Sequence, residues 1–234
     1  MKAVWKKEMG FYFETPFGYF FTGIFLILSG ITFTLFNLLQ GSSSLAGMFD
    51  LMKNFMFIII PVLTMKMFAE ERKNGTENLL LTSSLTERDI VLGKFLAAVT
   101  LFLSSLAVTL IYVLIIAVYG YADAASIIVS YLGFILLGVS MTAVCTFTAS
   151  FAESQVTSAI VSFGVLFLMV TLTSFTGTIK IPVLTKILTA FAITGYYDDF
   201  TLGMLSAGPV LYYLGVTAVC LYMAVKNLEY RRFR

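Results

Sequence analysis

Residues 65–94 read MKMFAEERKNGTENLLLTSSLTERDIVLGK and separate two long apolar runs. They hold ten of the 28 charged residues in a sequence of 234. The chain is 59% hydrophobic and 12% charged, about half the charged fraction of a soluble domain. So few charges cannot cover a water-facing surface, and the composition predicts an integral membrane protein. Residues 65–94 are then the main region that a water-soluble partner can reach.

Six apolar runs are long enough to cross a bilayer as helices, which takes about 20 residues each. They are residues 17–39, 49–68, 95–119, 127–151, 156–178 and 209–225. The sequence therefore predicts a single all-α membrane domain over residues 1–234. Residues 179–208 are broken by charges, prolines and glycines, so we expect short helices at the outer surface. A loop that folds over the bundle is the alternative.

Lys and Arg are distributed unequally between the two sides of these spans. With the amino terminus in the cytosol, twelve lie on inner segments, and only Lys53, Lys180 and Lys186 lie on outer ones. Because inner loops carry the excess of positive charge, both termini and residues 70–94 are predicted to be cytosolic.

The chain before the first span combines aromatic and basic residues. Trp5, Met9 and Tyr12 would share one helical face, with Lys6 and Lys7 off that face. Residues 1–16 are therefore predicted to form an interfacial helix on the inner leaflet. An aromatic and basic belt without a separate helix is the alternative.

The loop between the second and third spans contains turn and capping signals. Asn74-Gly75 predicts a turn, after which Thr76 can cap a short helix over 77–81. Three consecutive leucines on that helix would need a cover outside lipid, which favours a socket on another protein. They are Leu79, Leu80 and Leu81.

The second half of the loop predicts the start of another helix. Ser84 and Glu87 fit a capping box, and the helix can continue through Lys94 into the third span. A short apolar-tipped helix between two spans would pass force to both of them. The alternative is a well-capped connector that packs on its own bundle.

Hydroxyl groups, and almost no charges, occupy the interior of the fourth and fifth spans. Without charged groups in the membrane, a proton- or sodium-driven carrier is disfavoured. The hydroxyls either line a substrate path or let the helices pack closely. The candidates are Ser140, Thr142, Thr146, Thr171, Thr173 and Ser174.

Several kinds of chemistry have no sequence support. The chain has no histidine and no G-x-x-x-x-G-K-[ST] phosphate loop. Cys145 and Cys220 lie in apolar runs and resemble buried hydrophobic residues. A net charge of +2 gives no argument for nucleic acid. We therefore expect no catalysis, bound cofactor or metal in this chain.

Several motifs together resemble the permeases of ABC type-2 exporters. They are Pro61-x-x-Thr-Met65, Phe68-Ala-Glu-Glu-Arg72, Gly75-Thr76-Glu77, Leu79-Leu80-Leu81, Gly93-Lys94, Tyr196-Tyr197-Asp198-Asp199-Phe200, Gly203 and Asn227-Leu-Glu-Tyr-Arg-Arg232. Within this family the chain is most similar to the compact permeases grouped with gliding-motility-type transporters. The resemblance covers nearly the whole chain. Many relatives have a proline within 82–85, where this chain has Thr-Ser-Ser-Leu, which affects only where the helix ends.

The resemblance implies a six-helix permease half in a prokaryotic plasma or inner membrane. Two copies, or one copy and a sister permease, would pair with two cytosolic ABC ATPase subunits that bind ATP and Mg. Membrane lipid would surround the permease, and an extracytoplasmic accessory protein would be a further partner. Residues 75–86 would be the coupling helix, 1–14 the interface helix, and 181–205 a hairpin closing the outer gate. The implied ATPase-coupling residues are Glu70, Glu71, Arg72, Gly75, Thr76, Glu77, Leu79, Leu80, Leu81, Ser84, Glu87 and Arg88.

Two other functions are weighed against an ATP-driven exporter. A membrane scaffold or sensor would hold a soluble partner through the same loop without transport. An intramembrane enzyme is disfavoured by the lack of histidine and of buried charge.

Overall fold

The computed structural model describes residues 1–76, 85–119, 123–176 and 188–232. Within these ranges the chain is helical and contains no β-strand. Six helices there are long and apolar enough to cross a membrane, which confirms the predicted all-α fold with six spans. They are Pro16–Leu38, Ala46–Lys73, Glu87–Val118, Ala124–Phe151, Gln155–Thr173 and Ala207–Arg232.

Ten helices are numbered here in chain order. They are α1 (Lys2–Glu14), α2 (Pro16–Phe33), α3 (Ala46–Thr64), α4 (Ala69–Lys73), α5 (Glu87–Val108), α6 (Leu110–Tyr119), α7 (Ala124–Phe151), α8 (Gln155–Thr176), α9 (Asp198–Thr201) and α10 (Ala207–Arg232). A π-helical turn, Thr34–Leu38, extends α2. The third span combines α5 and α6, and a further helical turn lies at 188–191.

The start of α5 corrects one expectation. Thr86 is the N-cap, and its hydroxyl accepts a hydrogen bond from the Asp89 amide at 3.2 Å. The predicted capping box from Ser84 to Glu87 is therefore wrong in register. Thr86 and Asp89 have the same three-residue spacing, and this pair forms the cap of α5. Glu87 becomes the first residue of the helix, and its carboxylate is left to pair elsewhere.

The fourth span, α7, lies at the centre of the bundle. It packs against α3, α5, α8 and α10. Of its most apolar stretch, 61% is buried inside the protein, against 17% for α8. At its middle, Phe134 meets Phe49 with ring centroids 4.7 Å apart and Phe102 at 6.0 Å. Gly138 faces Phe102 so closely that a Cβ atom would lie 2.4 Å from the ring.

A sharp corner joins α1 to the first span. Thr15 is extended, and Pro16 occupies the first helical position, where its missing N–H costs nothing. A Cβ atom on Gly18 would lie 2.2 Å from the Tyr12 carbonyl oxygen, so glycine is needed where the two helices meet. This corner places α1 beside the end of α3 and the start of α5. That end of the bundle is called the basic end below.

Candidate functional site

A buried lysine lies at the centre of the basic end. Lys94 is two turns into α5, and its side chain is only 1% exposed. Its ammonium Nζ lies 2.7 Å from Glu8 Oε1 and 3.0 Å from Glu71 Oε2, and it also donates to the Met67 carbonyl. The Lys94 ammonium in α5 therefore contacts both α1 and α4.

Glu8 reaches Lys94 from the buried face of α1. That face carries Val4, Glu8 and Tyr12, spaced four residues apart on one side of the helix. The sequence grouped Trp5, Met9 and Tyr12 instead. In the structure Tyr12 is fully buried, and the Trp5 indole N–H donates to the Thr100 hydroxyl at 3.2 Å. The face of α1 that packs on the protein is thus rotated from the predicted aromatic one.

The residue before Lys94 allows α1 to approach. A Cβ atom on Gly93 would lie 2.7 Å from Cβ of Val4, closer than side-chain atoms can pack. The Gly93-Lys94 pair therefore has two physical roles. Gly93 lets α1 contact α5, and Lys94 then pairs with the carboxylate that α1 carries.

A fourth charge completes the arrangement. Lys7 Nζ lies 2.9 Å from Glu71 Oε1, so the groups alternate in sign through Glu8, Lys94, Glu71 and Lys7. We call these four residues the basic-end ion cluster. Burial lowers the pKa of Lys7, but its hydrogen bond to Glu71 and the nearby carboxylates outweigh this and raise it above its ordinary value. The cluster as a whole is neutral, so its buried charges compensate one another.

A pocket of about 280 Å³ opens beside this cluster. Besides the four ionic groups, its wall includes Lys66, Glu70 and the ring of Phe11. The Lys66 ammonium lies 4.6 Å from the centre of the Phe17 ring and 5.8 Å from that of Phe11. Both distances suit cation–π contacts.

Arg72, which follows Glu71 in α4, contacts the end of α7. Its guanidinium donates to the Ser150 carbonyl at 2.7 Å and also to that of Ala152. Asn227 of α10 donates to the same Ser150 carbonyl at 2.9 Å, and Arg231 donates to that of Phe151 at 3.0 Å. Carbonyls at a helix end have no partner within the helix and suit cationic donors. The end of α7 is therefore tied to α4 and α10.

The remaining predicted coupling residues lie around this junction. Gly75 has φ +68°, which confirms the predicted turn. The Thr76 hydroxyl donates to the Glu71 carbonyl at 3.3 Å. Glu87 pairs with Arg232 at 2.5 Å, whereas Arg88 is exposed. Five other candidates lie outside the described residues: Glu77, Leu79, Leu80, Leu81 and Ser84.

The hydroxyl groups proposed for a substrate path lie elsewhere. Ser140, Thr142 and Thr146 are fully buried, and each donates to a carbonyl of its own helix. Thr171 does the same to Phe167. The Thr173 hydroxyl meets that of Thr194 at 2.7 Å. The Ser174 side chain lies outside the described part of the structure.

A second ionic group lies at the opposite end of the bundle. Lys53 of α3 lies 2.6 Å from Asp50 and 3.3 Å from Asp198 of α9, with its ammonium 5.2 Å from the centre of the Tyr197 ring. Tyr197 and Phe200 are buried. The segment 188–206 therefore inserts aromatic side chains into the bundle and is held there by Lys53.

Sequence reasoning missed the pairing of Lys94 with Glu8. The two residues are 86 positions apart; Lys94 was noted only in a helix start and a motif, and Glu8 was not singled out. The available signal was that Glu8 lies one helical turn from both Val4 and Tyr12. Among the described residues, no group of His, Cys, Asp and Glu is arranged to hold a metal ion.

Comparison with known proteins identifies the family. The family described as ABC-2 family transporter protein matches residues 33–225. No curated protein matches the chain significantly. The family match covers most of the sequence and all six candidate spans at least in part. The chain therefore belongs to the ABC-2 transporter family and is a membrane permease.

Proposed function

We propose that this permease is driven by separate ABC ATPase subunits and exports its substrate. The ATPases would dock on residues 70–94, between the second and third spans. The observation that supports this most is the contact of Lys94 with both Glu8 and Glu71. It joins the loop, α1 and the third span at the place where a soluble partner would act.

The junction explains how a push on the loop would reach the membrane. Residues 77–84 connect α4 to α5, so a force on them acts on both helices. Glu71 is fixed to Lys94, and Arg72 is fixed to the end of α7 through Ser150. Movement of the loop would therefore displace the third and fourth spans together, rather than only bend the loop. No ATP, Mg or catalytic group is needed within this chain for that role.

The predicted coupling residues divide into two groups under this proposal. Glu71 and Arg72 already have partners inside the chain, so they transmit movement within it. The apolar contact with the ATPase is assigned to Leu79, Leu80 and Leu81. Arg88 is exposed and is the candidate for charge contact with the partner.

The proposal includes the wider assembly. Two copies of the permease, or this chain and a sister permease, would form the complete path in a prokaryotic inner membrane, with both termini inside. The gliding-motility-type group and an extracytoplasmic accessory protein belong to the same proposal. It is supported by the family match and by the excess of Lys and Arg on the predicted inner segments.

Pull-down from native membranes tests the proposal. A tagged chain should co-purify with an ABC ATPase, and substrate should stimulate ATP hydrolysis by the reconstituted complex. Leu80→Ala should weaken ATPase association or uncouple hydrolysis from transport, since loss of a buried leucine contact typically costs about 2–5 kcal/mol. Leu114→Ala is the matched control, because Leu114 is 66% exposed on α6.

Two outcomes would count against this function. Unchanged association and transport in Leu80→Ala would remove the proposed docking contact. A stable ATPase complex whose hydrolysis never responds to any transported compound would favour a scaffold or sensor.

A further inference from the structure

The pocket at the basic end contains one cation and one carboxylate that the ion cluster does not use. Glu8, Lys94, Glu71 and Lys7 pair with one another. Lys66 also lines the pocket, as does Glu70, and neither has an ion-pair partner within the part of the chain that the structure describes. Among the described residues, Lys66 and Glu70 are thus the pocket charges without a direct ion pair, although Lys7 lies near enough to Glu70 to act on it electrostatically.

The Lys66 ammonium is held in place although it lacks a carboxylate. It lies over Phe17 at 4.6 Å and near Phe11 at 5.8 Å, so aromatic faces orient it and leave its N–H donors available. Glu70 lies four residues further along the chain, and its amide donates to the Lys66 carbonyl at 3.4 Å. Side chains four apart on a helical turn have Cβ atoms about 5–6 Å apart. That spacing suits two opposite charges on one small ligand.

The position of the pocket indicates which ligand can reach it. Lys66 lies two residues after the end of α3, and Lys94 lies in the polar start of the third span. Both line the pocket, and Lys66 also contacts Phe17 at the start of the first span. The pocket therefore lies where apolar helix gives way to polar chain. Lipid headgroups lie at that level of a bilayer.

We propose that this pocket binds the headgroup of a zwitterionic phospholipid with a primary ammonium group, namely phosphatidylethanolamine. Lys66 donates to the phosphate, and Glu70 accepts from the ammonium. The ring of Phe11, which lines the pocket, lies beside the headgroup. Glu70 also lies at the start of the proposed ATPase-docking region, but lipid binding by the permease alone does not require the ATPase, so the site can be tested separately from transport.

The two free charges discriminate between lipid classes. A purely anionic headgroup would satisfy Lys66 but leave Glu70 facing negative charge. A choline headgroup has the right charges, but its quaternary ammonium has no N–H to donate to Glu70. Phosphatidylethanolamine satisfies both groups with charge-assisted hydrogen bonds.

Native mass spectrometry of the purified full chain tests this site. Phosphatidylethanolamine, phosphatidylcholine and phosphatidylglycerol are added separately at equal concentration, and bound lipid is counted. The wild-type protein should retain phosphatidylethanolamine about fivefold or more over the other two, which is the ratio given by a net hydrogen-bond contribution of about 1 kcal/mol. Lys66→Gln and Glu70→Gln should each lower that retention by about fivefold, and Glu70→Gln should leave phosphatidylcholine retention unchanged.

Matched controls separate the pocket from general surface charge. Lys6 and Glu14 are exposed on α1 and do not line the pocket, so Lys6→Gln and Glu14→Gln should retain phosphatidylethanolamine like the wild type. Gel filtration and thermal unfolding of each variant show that it is folded before lipid is counted. Soluble phosphoethanolamine should compete poorly, because it has no acyl chains to anchor it in the membrane.

Three results would overturn the proposal. One is equal retention of all three lipids by the wild-type protein. Another is retention that is unaffected by both pocket variants, as expected if Lys66 and Glu70 only pair with each other. The third is soluble phosphoethanolamine binding as tightly as the lipid, which would make the ligand a free metabolite.

Discussion

The stability of the basic end depends strongly on one side chain, that of Lys94. A buried ammonium group is tolerated only when carboxylates and hydrogen-bond acceptors replace the water that it has lost. Glu8, Glu71 and the Met67 carbonyl supply these. Because the partners come from different elements, the same contacts that compensate the charge also fix the elements relative to one another.

We expect Lys94→Met to be strongly destabilising. It removes the cation that Glu8 pairs with and leaves Glu71 with only Lys7, and breaking a buried pair in this way typically costs about 3–5 kcal/mol. Thermal unfolding in detergent should show the loss. The double variant Glu8→Gln/Lys94→Met should recover part of it, because one uncompensated charge is removed.

Lys226→Met is the matched control for that experiment. Lys226 is exposed and pairs only with Glu229 on its own helix among the described contacts, so its loss should change stability by about 0.5 kcal/mol or less. A Lys94→Met protein as stable as this control would contradict the role assigned to the ion cluster.

Gly93→Ala should detach α1 from α5. The added methyl group would lie 2.7 Å from Cβ of Val4, and overpacking of this kind typically costs about 1–3 kcal/mol. Val4→Ala in the same chain still places a Cβ there and should relieve the clash only slightly. Val4→Gly should relieve most of it, leaving the tight contact with the Met1 carbonyl oxygen at 3.2 Å. Protease sensitivity of the α1–α2 corner measures the detachment.

Gly164→Ala provides the comparison within the same protein. No atom lies within 4 Å of a Cβ built on Gly164, and alanine is the better helix former by up to about 1 kcal/mol. This variant should be at least as stable as the wild type. If Gly93→Ala behaved in the same way, the close approach of α1 would be disproved.

The residues of the site were only partly predictable from the sequence. Gly93-Lys94 was recognised as a motif, but its physical reason lies in Val4 and Glu8, about 86–89 positions away in the sequence. Local spacing predicted the turn at Gly75, where a positive φ needs glycine. Contacts between distant segments leave no such local mark in a single sequence.

Among the elements, the segment 188–206 gives the clearest case of a buried anchor. Phe200 of α9 is fully buried, and a Cβ atom on Gly133 would lie 2.5 Å from the Phe200 ring. Nearby, the Tyr213 hydroxyl donates to the Ile193 carbonyl at 2.9 Å. The segment is thereby packed onto α7 and α10 as part of the core.

Phe200→Ala should loosen this segment. Removing a buried phenylalanine typically costs about 3–5 kcal/mol, whereas Phe191 is 59% exposed in the same segment and Phe191→Ala should cost little. Hydrogen exchange of residues 188–206 should accelerate in the first variant and stay near wild type in the second. Equal exchange in both variants would mean that Phe200 does not anchor the segment.

The elements themselves were mostly predictable, and their ends were less so. Apolar runs predicted all six spans, because only long apolar helices fit a bilayer. The helices extend further than these runs because polar residues continue a helix beyond its apolar region. For example, α5 already begins at Glu87, and α10 continues to Arg232. The cap at Thr86 was misassigned to Ser84 because two overlapping capping patterns fit the same stretch.

For the molecule as a whole, the decisive prediction is its orientation. With both termini inside, a cysteine at Glu153 should resist membrane-impermeant maleimide in intact cells, and a cysteine at Ser43 should react. Glu153 is exposed and Ser43 is partly exposed in the structure. The background would carry serine at Cys145 and Cys220, which are the two native cysteines.

Permeabilised cells supply the control for this experiment, because both cysteines should then react. Labelling at Glu153 but not at Ser43 in intact cells would invert the orientation and move the proposed ATPase site outside. Orientation follows from the distribution of Lys and Arg, so the sequence predicts it more directly than it predicts any contact between helices.

The contact between Glu8 and Lys94 also sets an order of assembly during synthesis. At roughly 5–20 residues per second, the ribosome makes Lys94 about 4–17 seconds after Glu8. Throughout that interval α1 has its carboxylate but no cation to bury it with. Of these two helices, α1 is made first and must wait, and its docking can occur only once the third span has been made.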